Sequence, residues 1–96
     1  MLTIFTPTYN RAYILPKLYE SLREQSCHDL EWIIVDDGST DDTMSLVEGW
    51  TRASNPFPIR YHRQPNGGKH RAINRGVELA RGDFFFIVDG DDRLPS

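Results

Sequence analysis

The sequence predicts a doubly wound α/β domain built on a mostly parallel sheet. Three observations carry that prediction. Short apolar runs rich in β-branched and aromatic residues alternate with stretches whose apolar positions recur at spacings of three and four. Single helix-length segments separate the runs, and such segments demand parallel pairing through right-handed crossovers. Each run also ends in a polar cluster. The predicted order is β-α-β-α-β-α-β, and 96 residues hold one small domain.

Leu2 to Thr6 forms the first strand. Pro7-Thr8-Tyr9-Asn10 ends it with a residue that donates no hydrogen bond and an Asn suited to a cap. A helix follows, starting between Ala12 and Tyr13 and running to about Gln25, with Ile14, Leu15, Leu18, Tyr19 and Leu22 inward. Pro16 falls in its first turn, where amides lack intrahelical partners. Glu31 to Asp36 is the second strand, with Trp32-Ile33-Ile34-Val35 buried. Asp36-Asp37-Gly38-Ser39 closes it, and Ser39 or Thr40 is predicted to cap the next helix. That helix carries Asp41 and Asp42 in its first turn and points Met44, Val47 and Trp50 inward. Ile59 to His62 is a weak third strand, and Asn66-Gly67-Gly68 is a turn. Lys69 to Arg81 is the third helix, with Ala72, Ile73, Gly76, Val77 and Ala80 on one face and Gly82 as its C-terminal stop. Phe84 to Val88 is a last strand buried on both faces, and it runs into Asp89-Gly90-Asp91-Asp92.

Composition narrows the function. An apolar fraction of 39% and an aromatic fraction of 11% fit a packed core. A net charge of -3 leaves no electrostatic footprint for nucleic acid. Cys27 stands alone, so it forms no internal disulfide and suits a reducing compartment. No apolar run approaches the roughly 18 residues of a membrane span, and Met1 to Phe5 lacks the basic start of a signal peptide. These features predict a cytoplasmic protein, with contact at the inner face of a membrane left open.

In an open parallel sheet, ligands bind beyond the carboxyl ends of the strands. Three polar clusters fall there: Thr6 to Asn10, Asp36 to Ser39 and Asp89 to Asp92. Asp36 and Asp37 are placed to accept hydrogen bonds from a ribose hydroxyl or a base N–H, or else to cap the following helix. Lys69 opens a helix whose free amides favour phosphate, although a solvated basic turn reads equally well. Asp89 and Asp91 point the same way in extended geometry. Paired carboxylates suit Mg²⁺, with phosphates and water completing its octahedron, and a solvated acidic turn is the plainer reading. Asn66-Gly67-Gly68-Lys69 lacks the glycine spacing and the Ser or Thr of a P-loop. No Gly-x-Gly-x-x-Gly follows the first strand.

Several motifs stand together in one order: Thr6-Pro7-Thr8-Tyr9-Asn10-Arg11, Ser21 to Gln25, Ile33 to Asp41, Asn66-Gly67-Gly68, Asn74-Arg75-Gly76, Ala80-Arg81-Gly82 and Asp89-Gly90-Asp91-Asp92. This series resembles the start of the family 2 glycosyltransferases, and it spans essentially the whole chain. The resemblance implies the Rossmann-like GT-A fold and transfer of a sugar from a nucleotide-diphospho-sugar, commonly a UDP-sugar, to a hydroxyl of a glycan or lipid-linked acceptor, with inversion. It implies that Pro7, Thr8 and Tyr9 line the nucleotide pocket, that Asp37 with Asp36 binds the base, and that Lys69 lies near the nucleotide. It further implies that Asp91 binds Mn²⁺ or Mg²⁺, with Asp89 facing the ribose or a metal-bound water and Asp92 as a second metal candidate.

Relatives of this kind continue well past the Asp-x-Asp motif. Residues 1–96 are therefore expected to be a partial GT-A domain, its catalytic base beyond Ser96 and its acceptor half absent. Such a sheet is expected to self-associate through its last strand. The alternative is a catalytically inactive nucleotide-binding fragment. A haloacid dehalogenase-type phosphatase would carry its Asp-x-Asp near the start of the chain, and a sugar nucleotidylyltransferase would carry a glycine-rich basic loop after the first strand. Neither pattern is present.

Overall fold

Strand β1 (Leu2–Thr8) lies at the centre of the fold. A computed structural model describes residues 2–26, 29–65, 69–81 and 84–87, with backbone only for 69–72 and 84–86. The remaining elements are α1 (Leu15–Arg23), β2 (Leu30–Asp36), α2 (Thr43–Arg52), β3 (Ile59–Arg63), α3 (Lys69–Leu79) and β4 (Phe84–Ile87). The strands form one parallel sheet in the order β3-β2-β1-β4. No described helix is long and apolar enough to cross a membrane.

The sheet explains why β1 is longer than its apolar run. Its ladder with β2 continues through Pro7↔Val35 to Thr8↔Asp36, whereas its described pairing with β4 ends at Phe5↔Ile87. Pro7 thus sits at the end of the ladder, where a missing N–H is tolerated. Helix α1 starts later than its pattern predicts. Pro16 has no N–H to offer the Ala12 carbonyl, so residues 11–14 make a turn in which Ile14 and Leu15 both donate to Arg11 O.

The two faces of the sheet are covered differently. Ile4, Trp32 and Ile34 pack against Leu15, Leu18, Tyr19 and Leu22 of α1 and Val47 of α2. Tyr19, Trp32 and Trp50 stack there, with the Tyr19 and Trp50 ring centroids 4.3 Å apart. Phe5, Ile33 and Val35 face the other way, toward Ile73, Leu79 and Ala80. Alternation along each strand sends neighbouring residues to opposite layers. A buried polar cluster closes the second layer at the amino end of the sheet. Glu31 accepts hydrogen bonds from Thr3 Oγ1 at 2.7 Å and from the Arg81 N–H at 2.6 Å, and pairs with Arg60 at 3.5 Å. Arg60 also donates to Leu79 O, so Glu31 and Arg60 tie the end of α3 to the sheet.

Two inward-facing expectations fail. Met44 is 39% and Val77 57% exposed. On α2 the buried line runs through Thr43 and Val47 with Leu46 and Trp50 beside it, and Met44 lies about 110° around the helix from its centre. On α3 the contact line is centred on Gly76, which turns Val77 outward. The predicted burial of β4 on both faces does not hold at Ile87, which is 44% exposed, and the side chains of Phe84 to Phe86 lie outside the described residues. The predicted Gly82 stop, the Asn66-Gly67-Gly68 turn and Cys27 lie outside the described residues.

Candidate functional site

The order β3-β2-β1-β4 contains one reversal. The chain steps from β1 to β2 to β3 on one side, then crosses through α3 to the other side of β1. Helices α1 and α2 cover one face and α3 the other, so the crossover after β1 and the crossover from β3 to β4 run over opposite faces of the sheet, and the strand order reverses at β1. A crevice at such a switch point is where α/β sheets bind ligands. Pro7 and Thr8 end β1 there, Tyr9 follows them, and the Thr8↔Asp36 register sets Asp36 and Asp37 beside them. Lys69 opens α3, which leaves the same end of β3, and its side chain lies outside the described residues. Asp89, Asp91 and Asp92 also lie outside them, on the segment that follows β4.

The rim is held by its own hydrogen bonds. Asp36 is fully buried. Its Oδ1 accepts the Ser39 N–H at 2.8 Å, and its Oδ2 accepts the Tyr61 hydroxyl at 2.5 Å. Both oxygens of Asp36 therefore shape the loop, a role its motif does not reveal. Burial, then the hydrogen bond and charge of Asp36, push the Tyr61 phenol well above its ordinary pKa and keep it a donor. Asp37 is 7% exposed. Its N–H donates to Thr8 O at 2.9 Å, and its Oδ1 accepts Gln64 Nε2 at 3.2 Å. Gly38, at φ 81°, makes the turn that follows. Tyr9 is 45% exposed at the rim. The Thr8 hydroxyl is buried with no hydrogen-bond partner, which costs about 1–3 kcal/mol until an acceptor or donor reaches it.

A second set of bonds joins the two rim loops. Asn10 donates its N–H to Ser39 Oγ at 2.8 Å, and its Oδ1 accepts the N–H groups of Thr40 at 2.8 Å and Asp41 at 3.3 Å. Asp41 returns the contact, accepting the Ala12 N–H at 3.1 Å. Asp41 also accepts the Thr43 N–H at 3.0 Å and the Thr43 hydroxyl at 2.5 Å. The N-cap position of α2 is Asp42, which makes no side-chain cap, so the predicted cap at Ser39 or Thr40 fails, those two being engaged by Asn10, and Asp41 and Asp42 precede the first turn rather than lying in it. Tyr61 and Gln64 are the residues that motif reading missed; Asn10 and Asp41 stand in the motifs, but the bonds between their loops are not legible there. The tolerance of Asn for left-handed backbone is the one signal that marks Asn10 in advance.

Among the described residues no group of three or more His, Cys, Asp or Glu could hold a metal ion. The donor set after β4 is made only of carboxylates, hard oxygen ligands that fit Mg²⁺ or Mn²⁺ and not a thiophilic metal.

Comparison with known proteins agrees with this arrangement. The family model described as glycosyl transferase family 2 matches residues 3–96. The chain is 37% identical over 94 residues to a PGL/p-HBAD biosynthesis glycosyltransferase of Mycobacterium tuberculosis, covering 98% of this chain and 36% of that protein. It is 36% identical over 99 residues to the GalNAc(5)-diNAcBac-PP-undecaprenol beta-1,3-glucosyltransferase of Campylobacter jejuni, covering 99% of this chain and 31% of that protein. It spans about a third of the length of these curated relatives. Among solved structures, the mannosyltransferase PcManGT of Pyrobaculum calidifontis, in complex with GDP-Man and Mn²⁺, superposes with a TM-score of 0.91 at 31% identity, over 99% of this chain and 28% of that one. TarS 1-349 of S. aureus in complex with UDP-GlcNAc gives 0.86 at 30% identity, over 96% of this chain and 27% of that one. With the parallel sheet, the switch-point rim and the family match in one chain, this protein belongs to the family 2 glycosyltransferases and has their GT-A fold.

Proposed function

We propose that this chain is the donor-binding half of a metal-dependent glycosyltransferase, and that its rim binds a nucleotide-diphospho-sugar, a UDP-sugar in the first instance. The observation that carries the proposal is the β1–β2 register, which sets Thr8 and Asp37 side by side at the switch point. In this reading Asp37 accepts a base N–H, Pro7 and Thr8 line the pocket and Tyr9 lies against the base. Asp36 supports the loop from beneath, and Lys69 meets the phosphates at the α3 N-terminus. Asp89, Asp91 and Asp92 would hold Mn²⁺ or Mg²⁺. When bound, such an ion offsets the charge gathering on the diphosphate.

The reaction proposed for the whole protein is a displacement with inversion at the anomeric carbon. An acceptor hydroxyl forms the new C–O bond as the bond to the diphosphate breaks, the nucleoside diphosphate leaves, and the hydroxyl proton passes to a carboxylate base beyond Ser96. The Campylobacter relative's name contains an undecaprenol-linked acceptor. A lipid-linked or glycan acceptor met at the inner face of a membrane is proposed accordingly, and with it a cytoplasmic location and a part in cell-envelope glycan synthesis. Because the chain spans about a third of its relatives' length, what is proposed for the chain alone is donor binding.

Calorimetric titration of UDP into the chain, with Mn²⁺ and then with EDTA, tests this directly. Manganese-dependent binding is expected, lost in Asp91→Ala and weakened about 10- to 100-fold in Asp37→Ala, the range for one hydrogen bond to a charged group. UDP binding that survives both EDTA and Asp91→Ala would remove the metal from the proposal.

A further inference from the structure

The end of β3 takes part in the rim through Gln64, a half-buried residue that no motif marks. Its backbone N–H donates to Asp36 O at 2.9 Å, extending the ladder one residue past β3. Its side-chain amide donates to Asp37 Oδ1 at 3.2 Å. Asp37 is therefore fixed from both sides: its backbone by Thr8 of β1, its carboxylate by Gln64. A carboxamide N–H donates to a carboxylate oxygen and fixes the direction in which it points.

An oriented carboxylate discriminates among bases. It accepts a ring N–H, such as those of uracil and guanine, and it repels the ring-nitrogen lone pair that cytosine and adenine present at the corresponding edge. We propose that Gln64 is a positioning residue for nucleobase selection: by holding the Asp37 carboxylate, it makes the rim prefer bases with a ring N–H over bases with a ring-nitrogen lone pair. The inference rests on the nucleotide reading of Asp37 and adds to it a residue on a third strand.

The test is a set of titrations with UDP, CDP and inorganic pyrophosphate, each in Mn²⁺, on the unsubstituted chain, Gln64→Met and Gln64→Glu. Methionine keeps the length of the side chain and removes the donor; glutamate keeps the shape and replaces the donor with a second acceptor. Both variants are expected to lower UDP affinity about tenfold, the value of one hydrogen bond to a charged group, and to shrink the UDP-over-CDP preference by a similar factor. Pyrophosphate affinity should not change. Far-UV circular dichroism reports whether each variant folds, and Gln64→Glu supplies the result if Gln64→Met does not. An unchanged UDP-over-CDP ratio in a folded variant overturns the inference. So does an equal loss of all three ligands, which marks a merely structural role. If the unsubstituted chain binds pyrophosphate and neither nucleotide, the base-binding reading of Asp37 fails first and takes the inference with it.

Discussion

Asn10 holds φ at 52°, in the left-handed region that side chains other than Gly rarely adopt. The cost of that backbone, about 1–2 kcal/mol, is offset by the bonds it places on Ser39, Thr40 and Asp41. Sequence reading gives Asn10 a capping role, and the structure gives that capping to the neighbouring loop rather than to its own helix. Asn10→Gly keeps the backbone and loses the side-chain bonds, so about 1–2 kcal/mol of stability should go. Asn10→Ala loses both and should cost about 2–3 kcal/mol. Urea denaturation of the two variants measures the difference, and equal losses would mean that φ strain is not part of the account.

Asp41 shares this clasp and adds a pH dependence. Burial pushes its carboxyl up, but hydrogen bonds from the Thr43 hydroxyl and N–H, the Ala12 N–H and its own N–H outweigh burial and hold its pKa below the usual value. A depressed acid contributes its full stabilisation above its unfolded pKa, about 3.9, and loses it as pH falls through the folded one. Asp41 is exposed, so the effect is small. The urea midpoint of the unsubstituted chain should fall more between pH 5 and pH 2.5, about the range around that pKa, than that of Asp41→Asn. Parallel pH profiles would assign the acid sensitivity elsewhere.

At the scale of the element, α3 is set by a missing side chain. A Cβ on Gly76 would stand 2.7 Å from Phe5 Cζ and closer still to Cδ1 and Cε1. Phe5 is fully buried in the centre of the sheet, so its ring has little room to yield. This close approach is what draws Ile73 and Ala80 onto Phe5, Ile33 and Val35. Gly76→Ala should destabilise by about 2 kcal/mol, within the usual range for overpacking, although Ala is the better helix former. Phe5→Leu in the same chain should restore part of that loss, and a double-mutant cycle by thermal unfolding reads it. Strict additivity of the two substitutions would count against the contact.

At the scale of the whole molecule, the sheet places its functional end and its anchoring end apart. Asp37, Asn10 and Gln64 gather at the carboxyl ends of the strands, while Glu31 and Arg60 lock α3 at the amino ends. Strand β4 closes the described order, with Ile87 44% exposed. An edge strand that presents apolar surface is a template for pairing. The chain is expected to self-associate in sedimentation velocity as its concentration rises, and Ile87→Lys should lower the association. A monomer at all concentrations would remove β4 as a pairing edge.

Local pattern alone determined much of this protein. Alternating strand and helix periods give the element order and a parallel sheet, because a single helix between strands allows little else. The string of short motifs points to the family before any coordinate is seen. The inward face of each helix was legible except at its margin, since the burial of Val77 and Met44 depends on how closely each helix approaches the sheet. The division of labour at the rim was not legible. Asp36 and Asp37 are neighbours of identical chemistry, and only the tertiary structure decided that Asp36 is enclosed between Ser39 and Tyr61 while Asp37 is held by Gln64. Tyr61 on β3 and Gln64 just past it lie about two dozen residues away in sequence, and hydrogen bonds between strands leave no periodic trace in the chain that makes them.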